Sequence, residues 1–279
     1  MTTSTDIQHK TKKRREEILA TRAEPPKRII ITTPEICWDA VQKAYKKDRL
    51  HPYTYSSPAI HESFLGLAGK TIKKTMIRNL GIALHADSIE TVEIVLPGKG
   101  LAFTPGRDVY KDLEDLKKLI AGFVIDKDIE VIGRIDEVEI DYSSFGVILR
   151  QCVDFRFAWF NISRLLEKNE MPFVLGSPGN IGIFAGRFNK TIENYATLQL
   201  IEACKETGAK TCIVINHGNG CGGYIHNRLD SADGILDIAT AKDYIHEILE
   251  NNDVAGIDVI SKYQTLDGYY AITLAKDIN

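Results

Sequence analysis

The sequence predicts an α/β protein: a mostly parallel sheet flanked by helices, preceded by a smaller α+β region. Between residues 141 and 279, short apolar runs typical of strands alternate with amphipathic runs of helical period, and the connections are short. Residues 29–140 mix both kinds of element in a less regular order, and residues 1–28 are rich in basic side chains. We therefore divide the chain into a basic arm (1–28), an N-terminal domain (29–140) and a C-terminal domain (141–279).

The composition is typical of a folded protein and excludes several functional classes. Of 279 residues, 44% are hydrophobic and 26% are charged, and 35 basic against 38 acidic residues leave a net charge of −3. This balance argues against a chain built to hold nucleic acid, and no apolar run reaches the roughly 18–20 residues of a membrane span. Five cysteines and the lack of an apolar signal segment predict a cytoplasmic protein with reduced thiols that are available to bind metal.

In the N-terminal domain, short apolar runs predict five strands, at residues 28–33, 91–96, 101–104, 130–132 and 137–140. The second and third runs flank a Pro-Gly-Lys-Gly turn, which predicts a hairpin, and Gly133 separates the last two. Residues 110–123 repeat apolar side chains at helical spacing, which predicts an amphipathic helix. None of these elements indicates a particular chemistry.

In the C-terminal domain the alternation is regular. The predicted strands are residues 145–151, 172–176, 211–216, 257–263 and 269–275, and the predicted helices are residues 156–168, 191–207 and 238–249. Gly208 is expected to cap the second helix at its C-terminus, and Asp267-Gly268 predicts a hairpin between the last two strands. In such sheets, ligands bind beyond the carboxyl ends of the strands, so these ends are where functional residues are expected.

Two of these strand ends carry side chains that bind metals. The first strand runs into Cys152, and the third runs into His217 and Cys221. Two thiols and an imidazole are a soft ligand set that suits Zn²⁺, and three protein ligands leave a fourth position open for water, as in catalytic sites. The remaining cysteines are expected to be core residues: Cys37, Cys204 and Cys212.

A family resemblance follows from these residues. The segment after the first strand, residues 152–156, reads Cys-Val-Asp-Phe-Arg, and His217 and Cys221 follow about 60 residues later at another strand end. This arrangement resembles the β-class carbonic anhydrases. The likeness covers residues 145–276, about half of the chain, and includes residues 174–180 and the closing strand pair. Three residues separate His217 from Cys221, where the family pattern has two.

The resemblance implies roles for five residues. Cys152, His217 and Cys221 would bind Zn²⁺, while Asp154 and Arg156 would form a catalytic dyad. In these roles Asp154 accepts a hydrogen bond from a zinc-bound hydroxide, and Arg156 keeps Asp154 ionised and away from the metal. Zinc makes hydroxide available at neutral pH because it lowers the pKa of bound water towards about 7.

The implied activity is that of a zinc lyase: the reversible hydration of carbon dioxide to bicarbonate and a proton. The resemblance also implies a homodimer or larger assembly, in which the basic arm is placed to reach a partner subunit. No membrane partner is expected, and contact of the basic arm with nucleic acid or another anionic surface is only a secondary interpretation. Two alternatives remain open at this point, namely hydrolysis of carbon disulfide or carbonyl sulfide on the same scaffold, and a non-catalytic zinc-binding module. A thiol redox protein is a weaker alternative, because the sequence has no Cys-x-x-Cys.

Overall fold

The computed structural model describes residues 26–49, 52–56, 88–98, 108–124, 127–152, 161–162, 165–166, 168–176, 180–217, 221, 224, 233–267 and 271–274. These residues form two mainly parallel sheets flanked by helices, so the predicted α/β class is confirmed. Residues 1–25 of the predicted basic arm lie outside the described residues. No helix among the described residues is long and apolar enough to cross a membrane.

The described N-terminal elements are β1 (Arg28–Thr32), α1 (Cys37–Asp48), β2 (Tyr53–Ser56), β3 (Thr91–Pro97), α2 (Val109–Phe123) and β4 (Glu130–Asp136). All four strands are parallel, in the order β2-β1-β3-β4, and α1 and α2 pack on opposite faces of their sheet. β1 is buried throughout, as expected of a central parallel strand rich in β-branched residues. α2 begins after Asp108, whose side chain accepts hydrogen bonds from two backbone N–H groups of the first turn.

The prediction of a hairpin around residues 97–100 is wrong. β3 pairs with β1 along one edge and with β4 along the other, and both pairings are parallel. Both hydrogen-bonding edges of β3 are therefore occupied, and no edge is left for an antiparallel partner. Residues 101–104, the proposed second strand of the hairpin, lie outside the described residues. With its parallel sheet this region is α/β rather than α+β, and it also contains α1 and β2, which the sequence analysis does not predict.

β4 also differs from its prediction. It runs without interruption through Gly133, and residues 137–140 form no strand. A Cβ atom at Gly133 would lie 2.7 Å from the Leu113 Cδ1 atom on α2. Glycine at this position therefore serves the close packing of α2 on the strand rather than a break between two strands.

The described C-terminal elements are β5 (Phe145–Gln151), β6 (Met171–Gly176), α3 (Asn180–Phe184), α4 (Lys190–Glu206), β7 (Thr211–His217), α5 (Asp233–Asn251), β8 (Asp258–Asp267) and β9 (Ala271–Leu274). The strand order is β6-β5-β7-β8-β9, with the first four strands parallel and β9 antiparallel to β8. The predicted strands, the predicted closing hairpin and the helices matching α4 and α5 are thus confirmed within a few residues. Of the predicted helix 156–168, the described residues 161–162 and 165–166 are helical.

Gly208 does not cap α4 in the predicted way. The helix ends at Glu206, the capping residue Thr207 has an extended backbone, and Gly208 does not adopt a left-handed conformation. A Cβ atom at Gly208 would lie 2.8 Å from the carbonyl oxygen of Ser143. The backbone N–H of Gly208 donates to the carbonyl of Tyr142. The glycine is needed because two backbone segments approach each other closely.

Both faces of the C-terminal sheet are covered. α3, α4 and α5 pack on one face, around Ile148, Phe173 and Val214. The other face packs against Ile162 and Leu165 and also against α1 from the N-terminal part. The hydroxyl of a β2 residue, Ser56, donates to the carbonyl of Val174 on β6 at 2.8 Å. The outer strands of the two sheets therefore lie beside each other.

The chain order of the C-terminal strands creates a crevice. From β5 the chain crosses to β6 on one side and then returns to place β7 on the other side of β5. The β5–β7 pairing ends at Arg150 and Val214, whereas the β7–β8 pairing continues to His217. The carboxyl ends of β5 and β7 are therefore unpaired with each other at a topological switch point, the position where open α/β sheets bind ligands.

Candidate metal centre

The switch point carries the three predicted ligands. Cys152 directly follows β5, His217 is the last residue of β7, and Cys221 lies four residues further along. Their relative exposures are 6%, 2% and 0%. One potential ligand atom from each residue lies within 4.8 Å of the other two, and no other such group occurs in the described ranges. The structure thus brings together side chains that are up to 69 positions apart, and this buried group could hold a metal ion.

The distance between the two sulfur atoms tests whether the residues fit a shared metal ion. The Cys152 and Cys221 Sγ atoms are 3.9 Å apart, and both cysteines are free thiols. Two sulfurs at about 2.3 Å from a tetrahedral metal ion would be separated by about 3.8 Å. A disulfide would require about 2.05 Å. The separation therefore fits two thiolates bound to one tetrahedral ion.

The electrostatic environment of Cys221 also bears on metal binding. The pKa of its thiol is raised, first because it shares a hydrogen bond with Cys152 and then because it is buried, while nearby His217 acts in the opposite direction. Without a cation, this thiol remains protonated at neutral pH. Because a metal binds the thiolate, occupation of the site would displace protons.

A second group of buried polar residues adjoins the ligands on the face covered by α3 and α5. Tyr224 lies in one buried cluster with Cys152 and Cys221. Its hydroxyl donates to Asp237 Oδ2 at 2.9 Å and accepts from Asn216 Nδ2 at 3.4 Å.

The carboxylate of Asp237 is in turn held by a cation. Its other oxygen accepts from Arg187 Nε at 2.8 Å, and the Asp237 side chain is 3% exposed. No sequence pattern indicates Tyr224 or Asp237, because their proximity arises only when α5 packs on the sheet.

Three carboxamides form a further buried cluster on the opposite face. Asn161 Nδ2 donates to Gln151 Oε1 at 3.0 Å and to Gln264 Oε1 at 3.2 Å, and Gln264 Nε2 donates back to Asn161 Oδ1. Gln151 precedes Cys152, and Gln264 is the register partner of His217 on β8. Since β7 lies between β5 and β8, Asn161 bridges over β7 next to His217.

Arg150 is a buried cation close to the ligands in the sequence. Its Nε atom donates to Asn180 Oδ1 at 3.1 Å, and its guanidinium lies 4.9 Å from the centre of the Phe184 ring. Burial lowers the pKa of Arg150 to about 10, so the side chain is still charged at neutral pH. A charged residue inside an otherwise apolar strand pattern is a signal that could have marked this position.

The remaining predicted residues fall into two groups. Asp154 and Arg156 lie outside the described residues, so their pairing remains a prediction. The three cysteines predicted to be core residues are all buried: Cys37, Cys204 and Cys212. Burial raises the pKa of both Cys37 and Cys204 to about 12, which keeps these thiols protonated and unreactive at neutral pH.

Comparison with known proteins adds no family assignment. No protein-family model matches the chain, and no curated protein matches it. The metal-centre assignment is therefore supported by the geometry, the burial and the position of the three side chains.

Proposed function

We propose that the protein is a zinc enzyme that catalyses the reversible hydration of carbon dioxide to bicarbonate and a proton. The observation that carries this proposal is the Cys152, His217 and Cys221 group at the switch point, with its 3.9 Å sulfur separation. Two thiolates and an imidazole suit Zn²⁺, and three protein ligands leave one tetrahedral position for a reactant. The resemblance to the β-class carbonic anhydrases supports the choice of substrate.

Each part of the site has a distinct task in this proposal. When bound, Zn²⁺ would lower the pKa of a coordinated water towards about 7. Cys152, His217 and Cys221 would hold the ion, and these three side chains are buried. Asp154 is assigned as the proton acceptor and Arg156 as the cation that keeps Asp154 ionised, both by resemblance.

Zinc content is the first test. Protein purified without chelators is expected to contain close to one zinc per chain, measured by elemental mass spectrometry. Cys221→Ser should remove most of the zinc, because one of the three protein ligands is lost. Cys204→Ser is the matched control, since Cys204 is buried on α4 and is not part of the ligand group. Zinc-free native protein, or full zinc in Cys221→Ser, would refute the assignment.

The hydration reaction is the second test. Stopped-flow measurement with a pH indicator should detect hydration by the native protein. Asp154→Asn should reduce it by roughly 10²-fold or more while zinc remains bound, the loss typical of a positioned proton acceptor. Parallel assays for sulfide release from carbonyl sulfide and carbon disulfide separate the hydrolase alternative from the proposed one.

One observation favours a second candidate, a zinc-binding module without catalysis. The three ligands are nearly excluded from solvent, and such burial would hinder the access of a reactant to a bound ion. Stoichiometric zinc combined with hydration no faster than the buffer blank would support this candidate against the enzyme.

Two further features belong to the proposal. The resemblance supports a homodimer or larger assembly, which light scattering on the full chain would test; a monomer would refute it. All five cysteines are free, which is consistent with the reducing environment of the cytoplasm.

A further inference from the structure

We propose that Tyr224 is a positioning residue for the metal ligands, acting through a hydrogen bond to Asp237. The inference rests on the metal centre of the proposed function but not on the reaction. The relevant placement is that Tyr224 shares a buried cluster with Cys152 and Cys221, while its hydroxyl meets α5 and the residue before His217.

The sequence around Cys221 explains why an anchor is needed. His217 is fixed by the β7–β8 ladder, but Cys221 follows the three residues Gly218, Asn219 and Gly220. Cys221 lies beyond the end of this ladder, so the pairing of β7 with β8 does not determine where the Cys221 thiol lies. A fixed contact after Cys221 supplies the missing constraint.

Tyr224 supplies this constraint through three hydrogen bonds. Its backbone N–H donates to the carbonyl of Cys221 at 3.0 Å, which ties the two residues together directly. Its hydroxyl donates to Asp237 Oδ2 at 2.9 Å and accepts from Asn216 Nδ2 at 3.4 Å. One phenol therefore links the segment after Cys221 to the residue that precedes His217.

The partner of the hydroxyl is itself fixed. Asp237 lies on α5, a helix of 19 residues, and its second oxygen accepts from Arg187 Nε at 2.8 Å. The charge of this buried carboxylate is thus balanced by a guanidinium, and hydrogen bonds to a charged acceptor are stronger than neutral ones. The anchor therefore resists displacement better than a bond to a neutral side chain would.

The tyrosine ring also has little freedom to move. A Cβ atom at Gly182 on α3 would lie 3.0 Å from the Tyr224 hydroxyl oxygen and 2.6 Å from the Phe188 ring. The Phe188 and Tyr224 rings meet edge to face, with centroids 6.5 Å apart. Because these neighbours enclose the ring, Tyr224→Phe removes the hydroxyl without vacating the site.

The test compares two identical chemical changes on the full chain. Tyr224→Phe removes the proposed anchor, and Tyr244→Phe removes a phenol hydroxyl from α5 away from the ligand group. Zinc affinity is measured by competition with a chromophoric chelator, and Co²⁺ is added to record the sulfur-to-cobalt charge-transfer and d–d bands. We expect Tyr224→Phe to weaken zinc binding about 10-fold, the lower end of the loss caused by removing outer partners of metal ligands, because its hydroxyl bonds Asp237 and Asn216 rather than a ligand. The cobalt bands should also shift. Tyr244→Phe should change neither.

A purely structural role gives a different result. It would lower the unfolding temperature of the metal-free protein while leaving zinc affinity and the cobalt bands unchanged, and that outcome would overturn the proposal. If Tyr224→Phe does not fold, Asp237→Asn provides the second variant, and unchanged affinity in a folded Asp237→Asn protein would also overturn it.

The experiment separates this inference from the proposed function. Native protein that binds zinc but does not hydrate carbon dioxide would refute the activity, and the affinity comparison would still decide the role of Tyr224. Native protein that binds neither ion would refute both.

Discussion

Replacing Asn161 with leucine tests the energetic role of the carboxamide cluster. The change keeps the number and branching of the side-chain heavy atoms but removes three hydrogen bonds, two to Gln264 and one to Gln151. All three side chains are at most 5% exposed, so water cannot replace the lost partners without rearrangement. A buried polar group deprived of its partner costs about 1–3 kcal/mol.

Three buried hydrogen bonds are lost. Because the surrounding groups relax in part, the expected loss in free energy of unfolding is about 3–5 kcal/mol. This is a large part of the roughly 5–15 kcal/mol that stabilises an ordinary domain. Urea unfolding monitored by circular dichroism measures it. Asn252→Leu is the matched control, because Asn252 is half-buried and donates one hydrogen bond to the Ile248 carbonyl. The control should lose no more than about 1 kcal/mol.

The double variant Asn161→Leu/Gln264→Leu makes the test sharper. Replacing both partners of a hydrogen bond by apolar groups costs far less than stranding one of them. The second substitution should therefore add less to the loss than Gln264→Leu costs in the otherwise native chain. Additive losses, or a loss below about 1 kcal/mol for Asn161→Leu alone, would refute the view that these amides depend on one another.

Two further predictions concern the packing and the charges of the fold. Gly208→Ala should destabilise the protein by about 1–3 kcal/mol in the same unfolding assay, because its Cβ would lie 2.8 Å from the Ser143 backbone oxygen; Gly146→Ala, with open space around it, should be nearly neutral. Burial acts to raise the pKa of Asp136, but hydrogen bonds from Arg134 and a lysine on α1 outweigh it, and the pKa is lowered. The resulting stabilisation is present above about pH 4 and is lost as the pH falls through the lowered value, so Asp136→Asn should lose less stability than the native protein between pH 6 and pH 3. An equal loss in both proteins would contradict this.

The C-terminal sheet could be predicted from the sequence because its information is local. β5 and β7 are strands of seven residues, each with a mainly apolar centre, and polar or glycine-containing segments follow them. Asp267-Gly268 gives the chemistry of the closing turn directly. The prediction of the N-terminal sheet failed where a local turn signal indicated one strand pairing and strands distant in the sequence form another. The turn after β3 predicts a hairpin, but β3 pairs with β1 and β4, whose positions depend on packing across the whole region.

The same difference between local signals and distant contacts applies to the residues of the candidate site. The three ligands could be predicted because they occupy strand ends, and the parallel sheet brings these ends together. Tyr224, Asp237 and Asn161 could not be predicted, since each becomes relevant only through the way a helix or loop packs on the sheet. No periodicity or spacing in one sequence encodes such contacts.

The geometry of the strand ends gives a physical reason for a metal at this position. The β5–β7 ladder stops at Arg150 and Val214, so the residues that follow are not joined by backbone hydrogen bonds across this gap. Cys152 lies on one side of the gap and His217 on the other, and an ion bound to both would supply the missing connection. The carboxamides connect the strand ends on one face, and Tyr224 packs in a buried cluster with Cys152 and Cys221 on the other. A metal ion held by Cys152, His217 and Cys221 would therefore lie in the crevice beyond the strand ends, which is where open α/β sheets bind small reactants.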